Sequence, residues 1–445
     1  RDRLLVVGGD AAGMSAAAEA RRADPDREIT VLERGEDVAY AACGIPYWIA
    51  GEVGDIDDLV AHDAAYFRDR RRIDVRLDAE ARAVDPEART VTLADGEVLS
   101  YGALVLATGA RALRPGVPGV DLPGVLTVRD LADARRLDAL LRSDAAHGRA
   151  LLVGGGAIGV EVAEALLARG VGVDLVELLP RAVPALAAEP GELVAAEMAR
   201  AGVAIRTGTG LDRIDAAGER LAATAARARS EYDLVVLGTG VAPNTELAAS
   251  AGCELGERGA IAVDRRGRTS VDGIWAAGDC ATAYHRVLER PVWIPLATTA
   301  NAQGRVAGRD AAAGGGRFAG VLGSWVSKFG EVAFGATGIE VEAAREAGFA
   351  PRVIVRDGRD RSGYMPGAGR VRVRLVWDEP TGRLLGGQIS GAGAVSSRLH
   401  VVSTAIAAGM TIRELAECDF GYAPPVTPLR DPVELAAAAA IGDAP

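Results

Sequence analysis

Short apolar runs alternate with alanine-rich helical stretches along the first three quarters of the chain. Leu4-Leu5-Val6-Val7 reads as a buried strand, followed by a glycine turn and a helix to about Arg22, and Ile29-Thr30-Val31-Leu32-Glu33 reads as the next strand. The succession recurs: Ala150-Leu151-Leu152-Val153 precedes a second glycine turn, a helix to about Arg169 and a strand from Gly172 to Glu177. Leu104 to Ala110 and Leu234 to Gly240 are further buried strands that end in a Thr-Gly turn, and Gly273 to Cys280 is another that ends in Gly-Asp. From Ser324 the pattern changes to strands at Arg370 to Trp377 and Leu384 to Ile389, joined through Pro380-Thr381-Gly382, and then a helix near Ser396 to Ala408. That last part is an α+β arrangement.

The glycine turns carry the first chemistry. In Gly8-Gly9-Asp10-Ala11-Ala12-Gly13, strand, turn and helix follow in the order a dinucleotide site requires, with backbone close to a pyrophosphate at the helix N-terminus. Asp10 stands where the middle glycine normally sits, but Glu33 ends the second strand twenty residues after Gly13, where a carboxylate accepts the ribose hydroxyls. The second turn is complete in Gly154, Gly156 and Gly159, with Ile158 inside it and Glu177 at the ribose position. Two such units predict two Rossmann-like domains and two dinucleotides, FAD and a nicotinamide cofactor. A carboxylate at 177 favours NADH, while nearby Arg181 keeps NADPH open. Thr108-Gly109, Gly240 and Gly278-Asp279 close strands beside the dinucleotides, with Asp279 expected at a helix start, either on the ribitol chain or as a simple N-cap.

Composition narrows the partners. The 445-residue chain exceeds one ordinary core, and its formal charge of −11 argues against nucleic acid or an anionic membrane. Lys328 is its only lysine, read as a composition bias. Cysteines 43, 253, 280 and 418 are too scattered for a disulfide framework or a zinc site, and a reducing compartment fits. With no signal-peptide pattern after Arg1-Asp2-Arg3 and no long apolar run, a soluble cytoplasmic protein is expected, with no metal. Cys43, in Tyr40-Ala41-Ala42-Cys43-Gly44-Ile45-Pro46-Tyr47, stands at a predicted helix entry, which favours the thiolate; it is the candidate nucleophile and a contact of the flavin. The alternative is a small thiol packed in a core.

Taken together, the two glycine turns, the Cys-Gly-Ile-Pro-Tyr segment, the Ala-Thr-Gly and Ala-Gly-Asp-Cys strands and the ending Tyr422-Ala423-Pro424-Pro425 resemble the pyridine-nucleotide disulfide oxidoreductases. The likeness is nearest to the single-cysteine branch of coenzyme A disulfide reductases, NADH oxidases and NADH peroxidases. It implies an α/β fold with an FAD domain at 1–112 and 245–320, an NAD(P)H domain at 113–244, and a C-terminal dimerisation domain at 321–445. It further implies a homodimer with shared active sites, in which Tyr364 and Tyr422 assist a departing thiolate. Ser15, Glu19, Arg22, Arg71, Asn301 and Arg430 stand at or near the coenzyme's positions.

Departures from the pattern discriminate among branch members. Ala11 replaces the histidine of oxygen- and peroxide-reducing relatives, and histidines 62, 147, 285 and 400 sit in no motif linked to the flavin. Ala39, Ala42 and Glu19 replace polar coenzyme contacts, Ala157 replaces a flavin-covering tyrosine, and no rhodanese-like extension is expected after Pro445. The expected activity is FAD-dependent, NADH-preferring reduction of a small disulfide, persulfide or polysulfide through Cys43. The alternatives are an NADH oxidase and a flavoprotein electron donor to a protein partner.

Overall fold

The structure is a computed structural model that describes residues 3–142 and 148–442; Arg1, Asp2, His147 and Pro445 lie outside the described residues. The chain forms two compact units, one of Arg1–Ile45, Val53–Ala112 and Val241–Val321, the other of Pro46–Glu52, Leu113–Gly240 and Leu322–Pro445.

The first unit is built on a parallel sheet in the order Ile274–Ala276, Ala103–Leu106, Leu4–Val7, Ile29–Leu32, Asp74–Arg76. Its three central strands are buried at every position, which explains their unbroken apolar runs. On one face lie helices Ala11–Ala23 and Ala297–Ala313. These helices approach so closely that a Cβ on Gly304 or Gly308 would lie 2.2 or 2.1 Å from the carbonyl oxygens of Ala12 and Ala16. The abundance of alanine and glycine there is a packing requirement. A small antiparallel sheet, Ala81–Asp85, Thr90–Leu93 and Val98–Ser100, supplies residues to the core on the other face.

The second unit repeats the parallel plan in the order Ala204–Thr207, Gly172–Glu177, Arg149–Val153, Leu234–Leu237, Val125–Leu126, with helix Ala157–Ala168 following the central strand. It also contains the C-terminal antiparallel sheet, ordered Trp325–Phe329, Val332–Gly338, Leu384–Gly391, Arg370–Asp378, Pro351–Arg359, against which helix Val395–Ala408 packs. The predicted strand at 172–177 and helix ending at 408 coincide with those observed. The chain re-enters the first unit at Val241–Pro243, which pairs with Ala110–Ala112. One local expectation is corrected: no helix begins at Asp279, which lies in a turn, and the next helix starts at Ala297.

Candidate active site and nucleotide loops

The two glycine loops have one internal geometry. Gly8 and Gly154 take positive φ values of 111° and 107°, and a Cβ on either would lie 2.1 or 2.3 Å from the carbonyl oxygen at the end of the neighbouring strand, Ala107 or Gly238. Gly13 and Gly159 bring their helices onto the loop, where a Cβ would meet the Gly8 or Gly154 oxygen at 1.8 or 2.2 Å. Gly156 is different: a Cβ there would touch no protein atom within 4 Å. The space outside Gly156 fits a pyrophosphate approaching the helix N-terminus. Ala11, Ala12 and Ile158 lie in the first turns of the two helices.

Glu33 and Glu177 also match one another. Glu33 accepts from Gly9 N at 2.7 Å and Gly35 N at 2.8 Å; Glu177 accepts from Gly155 N at 2.7 Å and Leu179 N at 2.7 Å. Each carboxylate therefore ties the glycine loop to the end of the second strand. This scaffold role was not visible in the spacing that singled them out.

The strand ends are pinned in the same way. Thr108 Oγ1 donates to Asn244 O at 2.6 Å, and Asn244 returns Nδ2 to Thr108 O at 2.8 Å, while Asn244 N donates to Gly109 O at 2.9 Å. In the other unit Thr239 Oγ1 donates to Leu113 O at 2.7 Å, and Leu113 N donates to Gly240 O at 2.9 Å. Gly278 N donates to the buried Gln303 side chain at 3.1 Å, and the Asp279 carbonyl accepts from Trp293 Nε1 at 2.8 Å. Gln303 and Asn244 position these turns and had no sequence signal of their own.

Cys43 is exposed, in a 3₁₀ turn Ala42–Gly44 directly before helix Ile45–Ala50. A Cβ on Gly44 would meet the end of the Leu59 side chain at 2.5 Å, so a larger residue there would have to displace that side chain. None of the four cysteines is in a disulfide; Cys253 and Cys280 are buried, and burial pushes both thiols up. His285 is also buried, and its Nδ1 accepts from Val287 N and Leu288 N, a structural arrangement.

Tyr364 and Tyr422 lie in separate loops of the second unit with their hydroxyls 3.4 Å apart. Tyr364 is 74% exposed and Tyr422 46%, so both phenols stand open to a ligand. Their mutual hydrogen bond holds the Tyr364 phenol up and eases Tyr422 toward phenolate, with Ser362 adding to the second effect.

The other predicted substrate residues fall into three places. Ser15 donates to Asn301 at 2.6 Å, and Glu19 on the same helix pairs with Arg22 at 2.6 Å and Arg309 at 3.0 Å. Burial raises the Glu19 carboxyl, and the two arginines more than offset it, so its pKa is lowered. Beside Glu19 a cavity of about 390 Å³ is lined by Arg305, Arg309, Arg317 and Phe318; these arginines were absent from the sequence-based set. Arg71 rests on the Tyr66 ring, 5.7 Å from its centroid. Arg430 is in the other unit and is paired with Glu434 at 2.8 Å.

A half-buried polar cluster was missed altogether. Glu161, on the helix after the second glycine loop, accepts from Ser327 Oγ at 2.8 Å, and burial raises its pKa. Next to it Lys328 pairs with Glu164 at 2.9 Å and lies 5.8 Å from the centre of the Tyr47 ring. Burial, with Glu161 nearby, keeps the Tyr47 phenol protonated. The signal was present: Lys328 is a single lysine among 50 basic residues.

Two family models match the chain. A family model described as pyridine nucleotide-disulphide oxidoreductase matches residues 2–304, and one described as the dimerisation domain of that group matches residues 326–431. A protein named NADH oxidase from Methanocaldococcus jannaschii is 33% identical, over 98% of this chain and 98% of its own length. The NAD(P)H coenzyme A polysulfide/persulfide reductase of Pyrococcus horikoshii is 35% identical, with 97% of each chain covered. The solved structure of a NAD-dependent persulfide reductase from A. fulgidus superposes with a TM-score of 0.95 at 36% identity, covering 99% of this chain and 83% of that one.

Proposed function

The chain belongs to the pyridine nucleotide-disulphide oxidoreductase family, and from that premise we propose that it reduces a low-molecular-weight disulfide through Cys43, using FAD and NADH. The family uses FAD and a nicotinamide nucleotide, and the C-terminal part of the chain is its dimerisation domain. The substrate is a coenzyme A disulfide-like compound, or a persulfide or polysulfide, in keeping with the printed names of the relatives. The observation that carries the reading is an exposed, unbridged thiol at a helix entry in a chain that has two glycine loops of one geometry.

FAD would be held by Gly8, Gly9, Ala11, Ala12, Gly13, Glu33, Thr108, Gly109, Gly278 and Asp279, and NADH by Gly154, Gly156, Ile158, Gly159, Glu177 and Gly240. When bound, the flavin supplies two-electron transfer between nicotinamide and sulfur. The Cys43 thiolate attacks one sulfur of the substrate, forms a mixed disulfide and releases the first thiol. Two-electron reduction of that mixed disulfide, with one proton, frees the second thiol and restores the thiolate. Tyr364 or Tyr422, held in a shared hydrogen bond, donates the proton to the leaving sulfur. In the homodimer each pair of tyrosines serves the partner's cysteine. The four unbridged thiols suit a reducing cytoplasm, and among the described residues no helix is long and apolar enough to cross a membrane.

Cys43→Ser tests the reading. It should retain FAD and its reduction by NADH and lose disulfide turnover by a factor on the order of 10² or more; near-normal turnover would sink the mechanism. NADH oxidase activity is the second reading, supported by the name of the M. jannaschii relative. Rapid aerobic NADH consumption without added disulfide would favour it.

A further inference from the structure

We infer that Arg398 is a positioning residue that sets the geometry of the Tyr364 and Tyr422 pair; this rests on the reading that those phenols serve the substrate thiol. Both tyrosines stand in loops without regular structure, and the polar ties at the base of those loops converge on one buried guanidinium. Arg398 lies on helix Val395–Ala408 and is 5% exposed. Its Nε donates to Asp431 Oδ2 at 2.8 Å, and its Nη2 donates to the Asp360 carbonyl at 3.0 Å.

Each partner closes one tyrosine loop. Asp360 accepts from Gly369 N at 2.7 Å and also donates its own N–H to Gly369 O at 3.0 Å, which seals the neck of the segment that carries Tyr364. Asp431 ends the segment that carries Tyr422 and caps the helix Pro432–Ala440 by accepting from Val433 N at 2.9 Å. Between the loops, Ser362 N donates to Pro424 O at 3.1 Å. The planar fork of Arg398 thus fixes the spacing of two loop anchors from one helix, which a lysine cannot do with a single nitrogen. One nitrogen of the fork, Nη1, is buried and makes no hydrogen bond. A buried pair of charges is a poor source of stability compared with apolar packing, so its contribution here is geometric.

Arg398→Lys should keep its FAD and its NADH-driven reduction of ferricyanide, an acceptor that takes electrons from the flavin without Cys43. Disulfide turnover should fall roughly 10- to 100-fold, the effect of about 1 Å of misplacement. In a Tyr364→Phe, Tyr422→Phe background the same substitution should cost nothing further, since a positioning residue acts only through what it positions. Photo-oxidative dityrosine formation between Tyr364 and Tyr422, read by peptide mass, should also drop in Arg398→Lys. An equal loss with and without the tyrosines, or an unchanged dityrosine yield, overturns the inference. If the two-phenylalanine variant itself keeps full turnover, the catalytic reading of the tyrosines falls, and the dityrosine yield alone decides the role of Arg398. Should Arg398→Lys fail to accumulate as a flavoprotein, Asp431→Asn, which keeps a cap for Val433, is put through the same measurements with the same expectations.

Discussion

Replacing Glu177 by glutamine tests cofactor preference and loop geometry together. The side chain is 7% exposed and accepts from Gly155 N and Leu179 N, both at 2.7 Å. A ribose phosphate about 5 Å from this carboxylate would be repelled by about 3 kcal/mol per unit charge at an effective dielectric near 20, before salt screening. A net penalty of about 1 to 3 kcal/mol corresponds to a preference for NADH over NADPH of roughly 5- to 150-fold in kcat/KM. Glutamine removes the charge, so the preference should shrink by about that factor. It also has only one oxygen, so one of the two N–H donors loses its partner, at about 1 to 3 kcal/mol. The efficiency with NADH should therefore fall while that with NADPH changes little, and the ratio collapses from the NADH side. Initial rates for both cofactors with ferricyanide as acceptor isolate this half of the reaction. Equal constants for NADH and NADPH in the wild type, or an unchanged ratio in Glu177→Gln, would refute the reasoning.

Three further outcomes are expected. Gly156→Ala adds a methyl that meets no protein atom within 4 Å at a φ of −66°, so thermal unfolding should be unchanged while the KM for NADH rises about 10-fold; a lowered Tm with normal KM would contradict this. Glu161 has a folded pKa raised by burial, so folding is favoured while the group is protonated and loses that advantage as pH rises above the unfolded value of 4.5. Glu161→Gln should accordingly raise Tm relative to wild type at pH 8 and not at pH 4, and a gain independent of pH would exclude the burial argument. Mixing Cys43→Ser chains with Tyr364→Phe, Tyr422→Phe chains, each with much reduced turnover alone, should raise disulfide turnover above either homodimer if the tyrosines serve the partner's cysteine; no gain in proven heterodimers would place them otherwise.

The backbone plan was legible because the central parallel strands are buried on both faces and the glycine loops turn where a Cβ would strike a backbone oxygen. The strand Gly172–Glu177 and the helix Val395–Ala408 follow from runs of apolar residues bounded by glycine. Asp279 misled because an acidic residue after a strand resembles an N-cap, and only the three-dimensional course of residues 277–296 shows that no helix follows. Lys328 was discounted as composition, although a chain that uses arginine everywhere else has a lysine where an ammonium meets Glu164 beside the Tyr47 ring. Arg398 and Asp431 are 33 residues apart, and nothing local in either segment announces a buried pair.

Asp10 shows how a departure from a motif is to be weighed. The first and third glycines of both loops are enforced by the chain itself, since a Cβ on Gly8, Gly13, Gly154 or Gly159 would lie between 1.8 and 2.3 Å from a backbone oxygen. The middle position is not. Gly156 has an ordinary φ of −66° with ψ of 176°, and Asp10, at φ −103° and ψ −157°, is likewise extended backbone open to any residue. A glycine at that point is required only by whatever fills the space outside it. Asp10 therefore strains neither the turn nor the helix entry, and the first loop keeps the backbone of the dinucleotide turn with a side chain at its middle position. The middle position distinguishes the two loops by the ligand each admits, while the enforced glycines make them the same turn.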